Sequence, residues 1–152
     1  MTVVYPVASL VDTNILVYRC DPRDPRKREA ARELLRAGEV SGELRIPHQS
    51  LVEFVNSVTR LRGREAPIME LADATRQAEF FMTEFPVLYP NEAVFRMALL
   101  GKAAYGLPWC DAHLWAYAEH YGLPEILSED FEHGRRYGTV RIRNPFVERG
   151  LA

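Results

Sequence analysis

Short apolar runs alternate with longer segments of helical periodicity along the chain. The apolar runs predict strands at residues 7–11, 44–46, 87–89, 125–127 and 140–142. Apolar residues spaced three and four positions apart predict helices at residues 15–18, 23–37, 49–61, 67–81, 92–105 and 111–121. Strands that alternate with helices indicate an α/β fold, with a mostly parallel central sheet and helices on both faces.

Glycine, proline and asparagine refine the predicted helix ends. Gly38, Gly106 and Gly122 each follow a predicted helix and are expected to end it. Asn91 is expected to cap the helix at 92–105, and Pro67 to stand in the first turn of the helix at 67–81.

The length of 152 residues fits a single domain over residues 1–152. A chain of this size buries enough surface to fold without disulfides or metals. Its two cysteines, Cys20 and Cys110, give neither a disulfide framework nor zinc-ligand spacing. The formal net charge of −2 gives no bulk attraction to nucleic acid or anionic lipid, so any nucleic-acid role must depend on local basic patches.

No apolar run reaches the roughly 20 residues that a membrane-spanning helix needs. The first six residues lack the basic and apolar regions of a signal peptide. We therefore expect a cytoplasmic protein that does not associate with membranes.

Four acidic residues stand at the ends of predicted elements. Asp12 and Asp130 each follow a strand, while Glu53 and Asp111 lie in the first turns of helices. The carboxyl ends of parallel strands share one edge of the sheet, so the four acids can converge there. Clustered, buried carboxylates resist ionisation unless a cation is present. A ligand set made only of oxygen favours Mg²⁺ or Mn²⁺, ions that serve phosphoryl chemistry.

Each of these acids also has a purely structural explanation. Asp12 and Asp111 can cap helices, where the helix dipole favours a negative charge. Glu53 can lie exposed on the flank of its helix, and Asp130 can belong to an ordinary turn. Composition and spacing alone leave both explanations open.

Four segments resemble, in order, the motifs of the PIN-domain ribonucleases. The first is a strand followed by Asp-Thr-Asn, the second carries a Glu, the third places an Asp at a helix start, and the fourth has the form Thr/Ser-x-Asp. In this sequence they are residues 11–18, 49–54, 109–114 and 127–134. Residues 143–146 are also similar to the tail of the VapC-like toxins within that family, so the resemblance extends over about residues 7–147.

The resemblance implies a PIN-like three-layer α/β fold and a VapC-like toxin of a type II toxin–antitoxin system. Such a protein is a Mg²⁺-dependent endoribonuclease, with Mn²⁺ as a substitute, that hydrolyses RNA phosphodiester bonds to leave 5′-phosphate and 3′-hydroxyl ends. Catalysis and metal binding are assigned to Asp12, Glu53, Asp111 and Asp130. The implied partners are an RNA substrate, a second copy in a homodimer, and a small antitoxin protein. We expect the antitoxin to place an Arg, with a Lys as the alternative, near Asp12 and Asp111.

Neighbouring polar residues have supporting roles in this interpretation. Thr13 and Asn14 are expected to hold Asp12 in place, with simple turn formation as the alternative. Ser128 stands where the family often has Thr and keeps the hydroxyl, so it can contact the metal or a metal-bound water, or cap a helix. Glu129 lies beside Asp130, which leaves open which of the two acids reaches the metal.

Arginine is concentrated in three segments, residues 19–28, 60–64 and 135–143. Most such clusters are solvated surfaces, yet a basic rim beside an acidic pocket is also what holds a polyanion.

Two other functions remain compatible with the sequence. One is a PIN-like nuclease outside any toxin system, acting in RNA processing or on DNA. The other is a non-catalytic PIN-like binding protein, against which the presence of all four acids argues. A small upstream gene for a DNA-binding protein would favour the toxin. No predicted strand is followed by a glycine-rich nucleotide-binding loop.

Overall fold

The computed structural model describes residues 7–151, and the strands within them form a six-stranded sheet. Its order is β3-β2-β1-β4-β6-β5, and all neighbouring pairs are parallel except β5 and β6. The strands are β1 (Ser9–Val11), β2 (Leu44–Pro47), β3 (Val87–Leu88), β4 (Glu125–Leu127), β5 (Arg136–Tyr137) and β6 (Val140–Arg143). The predicted mostly parallel sheet is confirmed.

Helices cover both faces of this sheet, as the three-layer prediction requires. They are α1 (Thr13–Cys20), α2 (Pro25–Ser41), α3 (His48–Thr59), α4 (Leu71–Glu84), α5 (Glu92–Tyr105), α6 (Trp109–His120) and α7 (Pro145–Glu148). Buried side chains of α1 to α4 and α7 form one hydrophobic core, and those of α5 and α6 form a second.

The strands supply both cores because successive side chains point to opposite faces. Leu10 and Ile126 belong to the core beneath α5 and α6, whereas Val11 and Leu127 belong to the other. All four side chains are fully buried, and each contributes about 1.5–3 kcal/mol by leaving water. Burial on both faces explains why the central strands are almost continuously apolar.

The two central strands end side by side and so fix the position of the residues that follow them. Val11 pairs with Leu127 in the parallel ladder of β1 and β4. The ladder continues one step further, because the Asp12 backbone N–H donates to the Leu127 carbonyl over 3.0 Å. Asp12 and Ser128 therefore leave the sheet at the same edge, although they are far apart in sequence.

Gly38 does not end its helix, which corrects the predicted end at residue 37. The helix α2 continues to Ser41, and Gly42 ends it in the left-handed conformation, with φ of 71°. Gly38 packs against the Leu44 side chain, and a Cβ at this position would lie 2.1 Å from a Leu44 carbon. The glycine therefore serves close packing between α2 and β2.

Several other predicted boundaries shift. The helix predicted at 67–81 begins only at Leu71, so Pro67 lies outside it, and the helix predicted at 49–61 ends at Thr59. Strand β5 and helix α7 were not predicted. Asn91 caps α5 and Gly106 ends it at Tyr105, as predicted.

Residues 1–6 and 152 lie outside the described residues. The expectation that the first six residues form no signal peptide falls there, as do both ends of the domain predicted over residues 1–152. Between residues 7 and 151, no helix has the length and apolar character needed to cross a membrane.

Candidate functional site

Asp12 lies at the junction of β1 and α1, and its buried carboxylate accepts three hydrogen bonds. Oδ1 accepts from the backbone N–H of Thr13 over 2.6 Å. Oδ2 accepts from the Ser128 hydroxyl over 2.5 Å and from Asn14 Nδ2 over 3.2 Å. Asp12 therefore caps α1, as its structural explanation predicted. The hydrogen bonds from Thr13, Asn14 and Ser128 also fix its side chain.

Glu53 reaches the same edge of the sheet from helix α3. Its Oε2 accepts a hydrogen bond from the Thr13 hydroxyl over 2.7 Å, and its Oε1 accepts one from Gln49 Nε2 over 2.9 Å. Gln49 also donates to the Cys110 carbonyl over 3.0 Å, which ties α3 to the start of α6. The carboxylate of Glu53 is thus directed inward, and is not simply an exposed group on the helix flank.

Asp111 stands in the first turn of α6 and is half-buried. It does not cap this helix, because Pro108 occupies the cap position without a side-chain hydrogen bond. The pKa of Asp111 is raised to about 6, chiefly by burial and in addition by the negative charges of Asp130 and Glu53. The structure therefore brings Asp111 within electrostatic reach of both of these acids.

Asp130 follows β4 in an exposed turn, as its structural explanation predicts. Its backbone N–H donates to the Ser128 hydroxyl over 3.0 Å. The same hydroxyl donates to Asp12, so Ser128 links the two aspartates. The Ser128 side chain is fully buried. Ser128 thus neither caps a helix nor faces solvent.

Glu129, the neighbour of Asp130, is engaged elsewhere. Its Oε1 accepts a hydrogen bond from the Tyr18 hydroxyl over 2.7 Å, and its Oε2 pairs with Lys27 Nζ over 3.0 Å. Both carboxylate oxygens therefore have partners away from the other acids, whereas no described residue hydrogen-bonds the carboxylate of Asp130.

The pKa of Asp12 is raised to about 7, and burial is the largest cause of the rise. The hydrogen bonds from Ser128 and Thr13 oppose this rise, and the charges of Asp130 and Asp111 add to it. Desolvation outweighs the hydrogen bonds, so a nearby cation is needed to keep the group fully charged at neutral pH.

The donor chemistry of the site fits a hard divalent cation. All four acids offer oxygen ligands, and Asn14 Oδ1 is buried without a hydrogen-bond partner. An oxygen left unsatisfied in this way suits an ion or an ion-bound water. As the side chains stand, no three His, Cys, Asp or Glu residues in the described part of the chain are arranged to hold a metal ion.

A cleft of about 320 Å³ opens beside the acids. Glu53 and Asp130 line it, together with three arginines from two of the basic segments, namely Arg23, Arg60 and Arg62. Arginine in the third segment is used differently, because Arg143 pairs with Glu125 over 3.0 Å. Two of the four acids and arginines from two of the three basic segments thus share one cleft.

Sequence reasoning missed two residues that organise this site. Gln49 belongs to a quoted motif segment but was not singled out, although it holds Glu53. Lys27 was assigned only to a basic cluster, although it binds Glu129. Lys27 and Glu129 are 102 positions apart, so local patterning carries no signal for their contact. Gln49 and Glu53 lie four positions apart on α3, a spacing that could have indicated their contact.

Comparison with protein families and solved structures adds independent findings. The family model described as "PIN domain" matches residues 9–138. This match covers the four acids but not residues 143–146, the segment similar to the toxin tail. No curated protein sequence matches the chain.

Three solved structures share the fold at low sequence identity. DNA-bound VapBC from Salmonella typhimurium is 14% identical, with a TM-score of 0.68 and coverage of 92% of this chain and 99% of that chain. Promoter-bound VapBC2 from Rickettsia felis is 11% identical, with a TM-score of 0.66 and coverage of 90% and 97%. The sarcin-ricin-loop-cleaving toxin VapC20 from Mycobacterium tuberculosis is 16% identical, with a TM-score of 0.64 and coverage of 80% and 89%.

Proposed function

This chain belongs to the PIN domain family, and on that premise we propose that it is a Mg²⁺-dependent endoribonuclease, the toxin of a toxin–antitoxin pair. The observation that carries the proposal is the grouping of Asp12, Glu53, Asp111 and Asp130 at one edge of the sheet, where their charges act on one another. The structural likeness to the RNA-loop-cleaving toxin from Mycobacterium tuberculosis supports RNA as the substrate.

The four acids would hold Mg²⁺, or Mn²⁺ in its place, through their carboxylate oxygens. When bound, the cation supplies activation of water and stabilisation of the charge that develops on the phosphoryl group. The chain's own residues position the ligands. Ser128 and the Thr13 backbone fix Asp12, while the Thr13 hydroxyl and Gln49 fix Glu53. Fixed carboxylates lose little further conformational freedom when they bind the ion.

The test is to incubate the purified protein with total RNA, with Mg²⁺ or with a chelator, and to sequence the cut ends. We expect discrete internal cuts with 5′-phosphate and 3′-hydroxyl ends in Mg²⁺, and none with the chelator. Single-stranded and duplex DNA of matched sequence should remain intact. Cutting of DNA alone would indicate a nuclease outside RNA metabolism. RNA that stays intact in Mg²⁺ and also in Mn²⁺ would contradict the proposal.

We also propose that a cognate antitoxin inhibits the protein by placing an Arg near Asp12 and Asp111. The VapBC complexes among the structural matches support this, and an anionic pocket is complementary to a planar, bidentate cation. Expression in a cytoplasm without the antitoxin should stop growth. Co-expression with the small protein encoded directly upstream should restore it, and no rescue by that protein would contradict the pairing.

A homodimer is the remaining part of the proposal. Phe95 and Leu99 of α5 are about half exposed, and the Phe95 ring contacts Trp109 at a centroid distance of 5.7 Å. An exposed apolar patch of this kind is typical of an interface. Sedimentation equilibrium should give twice the chain mass, and Leu99→Lys should shift the equilibrium towards monomer.

A further inference from the structure

The cleft beside the acids is lined by positively charged side chains that metal binding does not require. Arg23, Arg60 and Arg62 all line it, whereas a divalent cation held by carboxylates is repelled by nearby guanidinium groups. Their presence therefore indicates an anionic ligand that extends beyond the position of the metal. The inference rests on the proposed nuclease function and concerns how that substrate is held.

Arg62 is held in a defined position by the turn after α3. Its backbone N–H and carbonyl pair with Glu65 in a short antiparallel bridge, and Gly63 between them has φ of 65°, which favours glycine. Nη2 donates to the Ala66 carbonyl over 2.9 Å. The Arg62 side chain is only 20% exposed, so the guanidinium is fixed by the turn and not free in solvent.

Two donor atoms of this fixed guanidinium lack hydrogen-bond partners. Nε and Nη1 of Arg62 are buried and unsatisfied. The Oε2 atom of Glu65 lies 3.3 Å from Nη1, an ion-pair distance without hydrogen-bond geometry, and the Glu65 side chain is 70% exposed. Buried donors without partners are costly and rare in native proteins. An acceptor from a ligand in the cleft would satisfy these donors once a small shift of the side chain exposes them.

The other two arginines line the same cleft, beside acidic residues that include Asp21 and Glu129. The side chain of Arg60 is exposed and has no ion pair or hydrogen bond with any residue between 7 and 151. Arg23 is anchored by Asp21, which accepts from its Nε and Nη2, so its charge is held at the cleft. The planar fork of Arg matches two oxygens of a phosphate.

We propose that Arg62, supported by Arg60 and Arg23, forms a binding subsite for an RNA backbone phosphate next to the one that is cut. A strand whose scissile phosphate lies at the four acids must carry a neighbouring phosphate on each side. The one that enters the arginine-lined part of the cleft is bound there, so the subsite fixes the direction of the strand across the acids.

The test combines protein and substrate changes. A cleaved oligonucleotide from the sequencing experiment is synthesised with one neutral methylphosphonate linkage, moved one position at a time along the strand. Binding is measured by fluorescence anisotropy to Asp12→Asn protein, in which cleavage is expected to be at least about 100-fold slower. At one linkage adjacent to the cut, we expect the neutral substitution to weaken binding about tenfold. Arg62→Met should weaken binding of the unmodified strand by the same factor. The two changes together should weaken binding no more than either one alone.

Arg64→Met is the matched control, because it removes the same charge from the same turn at an exposed position outside the cleft. It should weaken binding less than twofold. Arg62→Met should also reduce the slope of log K against log salt by about 0.7, the value for one phosphate contact with a single strand. Arg60→Gln, at an exposed position, keeps the test valid if Arg62→Met does not fold, and should weaken binding about threefold.

The outcomes separate the two proposals. If the wild-type protein cuts RNA but Arg62→Met and Arg64→Met bind it equally well, the subsite is wrong and the nuclease assignment stands. The subsite would also be wrong if the methylphosphonate weakened binding equally at every position, both with Arg62 and with Arg62→Met. It would likewise be wrong if Arg62→Met weakened the binding of an acidic peptide but not the binding of RNA. If the wild-type protein neither binds nor cuts RNA, the proposed function itself fails.

Discussion

At the scale of single residues, Asp12 combines three hydrogen bonds with a raised pKa. Charged hydrogen bonds ordinarily lower the pKa of a carboxylate. Here burial is the larger effect, and the neighbouring acids act in the same direction. The hydrogen bonds therefore fix the side chain in place, but its carboxylate is only partly ionised at neutral pH unless a cation binds nearby.

Asp12→Asn tests the role of that charge in catalysis. The amide keeps the shape and can still cap α1, so the fold should be retained while RNA cleavage falls at least about 100-fold. Asp111→Asn should behave alike. The matched control is Asp24→Asn, since Asp24 also caps a helix, α2, but lies outside the site. Cleavage by Asp12→Asn at the wild-type rate would refute the assignment.

The raised pKa of Asp12 also predicts how stability depends on pH in the absence of divalent ions. The folded protein holds a proton up to a pKa of about 7, whereas the unfolded chain releases it near 3.8. The folded state binds more protons between these values, so stability falls as pH rises from about 4 to 7, by at most about 4 kcal/mol. Urea titrations at pH 5 and 7.5 with a chelator should show this loss, and Asp12→Asn should remove much of it. Equal pH dependence of both proteins would contradict the prediction.

Glu129 and Asp130 are adjacent acids with different surroundings, and substitution should separate them. Asp130→Asn is expected to reduce cleavage about 100-fold with little change in stability, because the carboxylate is exposed. Glu129→Gln breaks the ion pair with the largely buried Lys27, so it should cost about 1–3 kcal/mol of stability and change cleavage less than threefold. The reverse order of activities would assign the fourth ligand to Glu129.

At the scale of elements, much of the fold was predictable because the local signals agree with the tertiary structure. Helix α5 is the clearest case, since Asn91 caps it and Gly106 ends it as the sequence indicates. Gly38 shows the limit of such signals. Its sequence context resembles that of a helix end, but its contact with Leu44 is decided by the packing of another element. The two-residue strands and α7 likewise depend on neighbours that pattern does not reveal.

The packing of α5 against α6 gives a prediction of unusual sign. Replacing Gly by Ala within a helix normally stabilises it by up to about 1 kcal/mol. A Cβ at Gly101, however, would lie 2.4 Å from the Trp115 ring, which is held by a hydrogen bond from Nε1 to the Tyr137 carbonyl. Gly101→Ala should therefore destabilise the protein by about 1–3 kcal/mol in urea titrations. As a control, Ala103→Gly on the exposed side of α5 should cost about 1 kcal/mol through helix propensity alone. A gain in stability for Gly101→Ala would contradict the prediction and show that α6 can shift.

At the scale of the whole molecule, the sequence placed Asp12, Asp111 and Asp130 beside the ends of elements, where the structure has them. Glu53 differs, because it is the sixth residue of α3 and not in its first turn. The contacts of Thr13 with Glu53 and of Ser128 with Asp12 could not be predicted, since they join elements that only the folded chain brings together.

Divalent ions should stabilise the folded protein as a whole. A ligand that binds only the native state raises the melting temperature, and here it also relieves repulsion among the acids. At about 100 times its Kd, Mg²⁺ or Mn²⁺ contributes about 2.7 kcal/mol and should raise the melting temperature by several degrees. K⁺ at equal ionic strength should not, and Asp12→Asn should reduce the shift. An unchanged melting temperature in both metals would contradict a site formed by the protein alone.

The pairing of β1 with β4 also bears on when activity can first arise during synthesis. Ser128 and Asp12 are 116 positions apart, and a growing chain emerges from the ribosome with its N-terminal part first. A nascent chain that ends before residue 125 already contains Asp12, Glu53 and Asp111, but it lacks the strand that completes the sheet beside Asp12. A chain that stops before residue 125 therefore cannot complete the candidate site, although it already contains three of the four acids.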